Sequence, residues 1–228
     1  RFMADITSEN IARIVSNYPM FTLNTLARVT GKEKTYLRVM AYRLKKQKRI
    51  FEVEKGRYTT YTDPLIFATV LVWPSYLSGW QAIRYYNLTE QVPVTFEVIT
   101  PVRKKKRELL FFVNKIRFIS AKQKNIFGFV KKSYKGFDLF IAEPEKAILD
   151  SALYKLISFS ELSEIVKNNE NKINKKKLLS YLIQIRNKAL IKRFGFLFDS
   201  LGHDFSARCK PFIDNNFVAL DYLLPKKG

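Results

Sequence analysis

The chain is poor in the side chains that most often build metal and redox sites: one cysteine, Cys209, and one histidine, His203, in 228 residues. A single cysteine rules out an intramolecular disulfide and fits a reducing, cytoplasmic setting. The pair is too small a set for a Cys/His zinc cluster and is weak support for a nucleophile with its base. Eight glycines include no G-x-x-x-x-G-K-S/T run, so no phosphate loop of that type is present. Long apolar runs are also missing. The longest, Leu65 to Trp73, stops at Pro74 and is too short to span a bilayer. The sequence opens on Arg1, which suggests a start further upstream, and no charged-then-apolar signal segment follows it.

Acidic residues are scarce as well, 20 Asp+Glu against 41 Lys+Arg, for a formal charge of +21. Such an excess favours a polyanionic partner through counterion release and steering, nucleic acid first and an anionic membrane second. A Lys- and Asn-rich genome produces a similar bias, so the charge supports a motif and does not replace one. It is spread along the chain: +7 for residues 1–63, +10 for 64–135 and +4 for 136–228. With 47% hydrophobic residues the chain can bury one good core and a smaller second one, which predicts two domains, 1–63 and 64–228.

Residues 22–60 read as two short helices and a basic hairpin, the outline of a winged helix-turn-helix. Leu23, Leu26, Ala27 and Val29 fall on one side of the first helix, which breaks at Thr30-Gly31. The second starts near Glu33 and repeats Leu37, Met40, Ala41 and Leu44 as one apolar stripe. Its other face carries Lys34, Thr35, Tyr36, Arg38, Val39, Tyr42 and Lys46, side chains suited to phosphates and base edges in a major groove. Ile50 to Glu54 alternates as a strand, Lys55-Gly56 turns, and Tyr58 to Tyr61 returns, with Lys55 and Arg57 at the wing tip. A preceding helix, capped by Thr7 or Ser8, buries Ile11, Ile14 and Val15. The same outline also serves protein-docking modules, whose basic face is simply solvated.

Asp63-Pro64 is a natural boundary, an acidic cap before a first-turn proline. LIFATVLV reads as a buried helix, with a strand as the alternative, and Ser75 or Ser78 starts another helix with Trp80 and Ile83 inward. Strands follow at 95–100, 109–113 and 115–120, with a hairpin around Lys135-Gly136. Their short connections predict an antiparallel sheet. From Pro144 the period is helical, with Ala147, Ile148, Ala152 and Leu156 inward, and further helices are expected at 160–166, 175–185 and 188–200. The expected class is therefore α+β: the winged helix-turn-helix, then a mixed domain with an antiparallel sheet to about residue 142 and helices after it.

Four short motifs occur in order: Gly56-Arg57-Tyr58, Ser78-Gly79-Trp80-Gln81-Ala82, Leu88-Thr89-Glu90-Gln91 and Pro144-Glu145-Lys146-Ala147. With them, residues 75–101 resemble the AbiEi antitoxin family, transcriptional-regulator partners of type IV toxin-antitoxin systems. The wing is Gly-Arg-Tyr where the family has Arg-Gly-Tyr, and the part after about residue 160 matches only in order and length. The resemblance implies an autoregulating DNA-binding repressor whose C-terminal domain counteracts a nucleotidyltransferase-like toxin. It singles out Ser78, Trp80, Leu88, Thr89, Glu90, Gln91 and Glu145. The simpler roles are core packing for Trp80 and Leu88, holding a turn for Glu90 and Gln91, and a helix N-terminal charge for Glu145 with Asp150 as a local pairing partner.

No cofactor, metal or catalytic residue is expected. Asp138, Glu143, Glu145 and Asp150 are the acids a metal-dependent nuclease would draw on, but Glu145 and Asp150 do not share a helix face. A nucleic-acid-processing enzyme that docks its substrate with the winged helix is therefore the second reading. Arg103, Lys104, Lys105, Lys106 and Arg107 form a basic loop between strands. Such a run either blunts a sheet edge or adds phosphate contacts, joined by Lys131, Lys132 and Lys135 if their hairpin lies beside it. The expected partner is double-stranded operator DNA, an inverted repeat if two copies bind side by side.

Overall fold

A computed structural model of the chain describes residues 8–223. Helix α1, Ser8–Val15, buries Ile11 and Val15 and leaves Ile14 half-buried; a cap at Thr7 lies outside the described residues. Strand β1, Phe21–Thr22, runs straight into α2, Leu23–Thr30. Thr22 Oγ1 accepts from the Thr25 amide at 3.2 Å and Thr25 Oγ1 from the Thr22 amide at 3.3 Å, a reciprocal cap made by two threonines. Helix α2 ends at Gly31, which adopts the left-handed conformation (φ +67°) that a side-chain-bearing residue resists. Val29, expected inward, is exposed, because the helical period carries it off the line of Leu23, Leu26 and Thr30.

Helix α3, Lys34–Lys46, buries Leu37, Met40, Ala41 and Leu44, the stripe its spacing predicts. Strands β2, Phe51–Glu54, and β3, Arg57–Thr59, form an antiparallel hairpin, and β1 pairs with the free side of β3. These elements enclose a hydrophobic core of their own, from Ile11 to Ile50.

Beyond it, Asp63 Oδ1 accepts from the Leu65 amide at 3.0 Å and caps a single 3-10 turn, Pro64–Ile66. The continuous helix expected over LIFATVLV is instead this turn and a second, Ala68–Leu71, interrupted at Phe67. Ile66, Phe67, Ala68 and Leu71 are all buried while Val70 is exposed, so burial follows the two short turns and not the period of one continuous helix.

The larger sheet contains β4 Tyr76–Ser78, β5 Thr95–Thr100, β6 Glu108–Phe111, β7 Asn114–Ser120, β8 Phe129–Tyr134 and β9 Phe137–Ala142, in the order β6-β7-β5-β4-β9-β8. It is mixed, not antiparallel as expected: β5 with β7 and β4 with β9 are parallel. Neither pair is joined by a short link. The chain leaves β5, makes β6 as the outer strand and returns as β7, while β5 to β8 all lie between β4 and its neighbour β9 in the sequence.

Helices α4 Gly79–Tyr85, α5 Pro144–Leu153, α6 Phe159–Asn168, α7 Lys175–Ile185, α8 Lys188–Ser200 and α9 Phe205–Cys209 are the remaining α-helices among the described residues. Gly79 (φ +62°) is required where α4 leaves β4: a Cβ there would lie 2.9 Å from Glu97 Oε2 and 3.0 Å from Leu156 Cδ1. A buried polar cluster ties α5 to β4. Asp150 accepts from Tyr76 Oη at 3.1 Å and Ser78 Oγ at 3.0 Å and pairs with Lys146, whose Nζ also donates to Tyr76 Oη at 2.9 Å. Burial pushes the Lys146 ammonium down and the Asp150 carboxyl up, opposed by their mutual attraction.

Candidate nucleic-acid interface

Helix α3 carries Lys34, Arg38, Arg43, Lys45 and Lys46 and no acid. Because its apolar stripe is consumed by the core, the remaining positions face outward, and Lys34, Thr35, Tyr36, Arg38, Tyr42 and Lys46 are all exposed. Val39 and Tyr42, at 51% and 58% exposure, are large apolar surfaces left uncovered among these cations. Lys46 Nζ lies 5.1 Å from the Tyr42 ring centroid, a cation over an aromatic face one turn away.

Lys45 differs from its neighbours: it pairs with Glu52 on β2 and fixes the helix to the hairpin. The Lys45 ammonium and the Gly56 amide hold the Glu52 carboxyl below the ordinary glutamate range. At the hairpin turn Lys55 is exposed, whereas Arg57 is not the open tip contact its position suggests. One Arg57 Nη donates to the Leu71 carbonyl at 2.7 Å and lies 3.6 Å from Glu54, so this guanidinium holds the hairpin against the 3-10 segment.

The basic loop after β5 reaches the same hairpin. Lys104 Nζ is 2.6 Å from Glu54 Oε1 and 4.3 Å from the Phe118 ring centroid, and its side chain is only 15% exposed. Arg103, Lys105, Lys106 and Arg107 remain exposed and form no ion pair among the described residues. The contact continues below the loop, where Phe51 packs against Phe111 and Phe112 at 6.4 and 5.1 Å between ring centroids. The structure thus brings the helix face, the hairpin and the loop onto connected elements.

Lys131, Lys132 and Lys135 do not join the loop. Their hairpin contains β8, the sheet edge opposite β6. Lys131 pairs with Asp138 at 2.8 Å and Lys135 with Asp63 at 2.9 Å. Burial raises the Asp63 carboxyl, but bonds from Lys135 and Tyr134 outweigh it and leave it below its ordinary value.

The residues singled out by the family motifs separate into three places. Ser78 is buried on Asp150, and Trp80 packs half-buried against the large core. Leu88, Thr89, Glu90 and Gln91 line a polar cleft of about 390 Å³ against α6. There Gln91 Nε2 donates to Glu161 Oε1 at 3.0 Å, and Glu90 pairs with Arg84 at 3.1 Å. Glu145 is buried elsewhere, accepting the Asn174 amide at 2.8 Å ahead of α7.

The acids a nuclease would need are dispersed too: Asp138 on Lys131, Glu143 on Lys177 and Tyr181, Asp150 on Lys146. Among the described residues no group of three or more His, Cys, Asp or Glu side chains converges as metal ligands. His203 Nε2 lies 2.6 Å from Glu170 Oε1, while Cys209 is buried and its thiol is pushed up by that burial. No described helix is long and apolar enough to cross a membrane. Compared with known proteins, the chain matches no protein-family model and no curated protein.

Proposed function

We propose that the chain is a cytoplasmic DNA-binding repressor and antitoxin of a type IV toxin-antitoxin system. Its first 63 residues act as a winged helix-turn-helix, with α3 as recognition helix and the β2–β3 hairpin as wing. The observation that carries the DNA half is the outward face of α3. Thr35, Arg38, Val39, Tyr42 and Lys46 lie opposite a fully buried stripe, on a helix with no acid. A helix entering a major groove presents such a mixture, cations for phosphates and guanine edges, a hydroxyl and apolar surface for the rest. Lys55 and the exposed cations of the 103–107 loop extend the footprint along the sugar-phosphate backbone.

The antitoxin half rests on the order of the motifs that resemble AbiEi proteins. It assigns residues 64–228 to counteracting a nucleotidyltransferase-like toxin and the N-terminal region to repressing the shared promoter. The test is a titration of labelled duplex from upstream of the chain's own gene against a scrambled duplex, with co-expression beside a nucleotidyltransferase encoded next to it. Preference for the upstream duplex and rescue of growth support the proposal. Equal, salt-insensitive affinity for both duplexes removes the repressor, and failure of rescue removes the antitoxin.

A further inference from the structure

A second basic feature has a shape of its own. Between the β5–β6 loop and β7 lies a cavity of about 390 Å³, whose wall includes Arg103, Lys104, Arg107 and Arg117 against the one acid Glu108. Two of these cations are already oriented. Lys104 is held between Glu54 and the Phe118 ring, and Arg117 Nε donates to Glu108 Oε1 at 2.9 Å. Arg103 and Arg107 are exposed and make no ion pair among the described residues. The cavity therefore combines prepositioned charge, two unengaged guanidinium groups and an aromatic wall. Its volume falls in the range of small-ligand pockets, roughly 300–1,000 Å³.

We propose that this cavity binds a phosphoryl-bearing anion. The guanidinium fork matches pairs of phosphoryl oxygens, so Arg103 and Arg107 supply the directional contacts and Lys104 and Arg117 the standing field. Lys104 is shared with Glu54 on the hairpin, so an anion in the cavity competes for the group that joins loop to hairpin. The phosphoryl group can come from a free nucleotide or from a DNA backbone. The site goes beyond the DNA reading, since it needs only the cavity.

The test is calorimetric titration of the full chain with inorganic pyrophosphate at low salt. Arg107→Gln, at an exposed position without an ion pair, is expected to weaken binding about tenfold or more. Arg117→Lys, which keeps the charge but loses the fork, is expected to weaken it less, and Lys167→Gln, at an exposed position on α6, to leave it unchanged. Absence of pyrophosphate binding by the wild type, or equal losses in Lys167→Gln and Arg107→Gln, overturns the proposal. Two arms identify the source. With a DNA phosphate in the cavity, pyrophosphate competes with duplex and Arg107→Gln lowers the salt slope of DNA binding by about 1. With a free nucleotide, ATP binds more tightly than pyrophosphate and the DNA slope is unchanged. Retained pyrophosphate binding in a chain that binds no DNA would uphold the cavity and remove only the repressor reading.

Discussion

Lys104 Nζ lies 2.6 Å from Glu54 Oε1, and this ion pair joins the basic loop of the large sheet to the hairpin beside α3. Both side chains are largely covered, and Lys104 also rests on Phe118, so the contact is better placed than an ordinary surface pair. Lys104→Ala is expected to destabilise the chain by about 1 kcal/mol. A double-mutant cycle with Glu54→Ala, followed by denaturant unfolding, should give a coupling of about 0.5–1 kcal/mol. Strictly additive losses would mean that the loop is not anchored through this pair.

The turn between α2 and α3 depends on backbone conformation alone. At Gly31 (φ +67°) a Cβ would meet nothing within 4 Å, so a side chain costs only the left-handed strain. Gly31→Ala is expected to lower stability by about 1–2 kcal/mol, and Gly31→Asn by less, because asparagine tolerates this region. Thermal melts of the two variants check the order. Equal losses would point to packing rather than to φ.

Glu97 is buried at 2% exposure with its Oε2 unpartnered, and burial pushes its pKa from 4.5 up to about 7. The folded chain therefore holds a proton that the unfolded chain releases between these values. Its contribution is fully present below pH 4.5 and is lost as pH rises to about 7, by about 3 kcal/mol in all. Glu97→Gln should flatten this part of the stability profile, measured by urea unfolding across the window. An unchanged slope in the variant would assign the pH dependence to another group.

Asp150 and Lys146 are both fully buried, and the carboxylate also holds Tyr76 and Ser78. Asp150→Ala strands three donors and a charge and is expected to cost about 3–5 kcal/mol. Unfolding by guanidinium reads this directly. A loss under 1 kcal/mol would show that Lys146 is readily neutralised or rehydrated in place.

Much of this architecture is legible in the residues. The limits of β5, α7 and α8 match the spacing of their apolar positions, and Lys135-Gly136 adopts the paired positive φ values of a tight hairpin turn. The α3 stripe is equally direct. What the spacing does not carry is long-range pairing. Tyr76–Ser78 is too short to read as a strand, yet it lies in the interior of the sheet, and Ser78, which stands at the start of α4 as its position predicts, gives its hydroxyl to Asp150 and not to the helix amides. Parallel pairing of β5 with β7 is equally invisible, because it is set by where β6 folds out. In the interface, exposure of the α3 cations follows from helical period, whereas the engagement of Arg57 by Leu71 and of Lys104 by Glu54 depends on how the hairpin meets the sheet.

The proposed role of α3 is tested most directly by the ratio of affinities of wild type and Arg38→Ala for the upstream duplex over a scrambled one, by fluorescence anisotropy at several salt concentrations. If Arg38 reaches a base edge, the variant loses about 1–3 kcal/mol on the upstream duplex and much of its preference for it, while binding to both stays salt-dependent. A wild-type preference that survives Arg38→Ala undiminished would contradict the assignment of α3 as the reader.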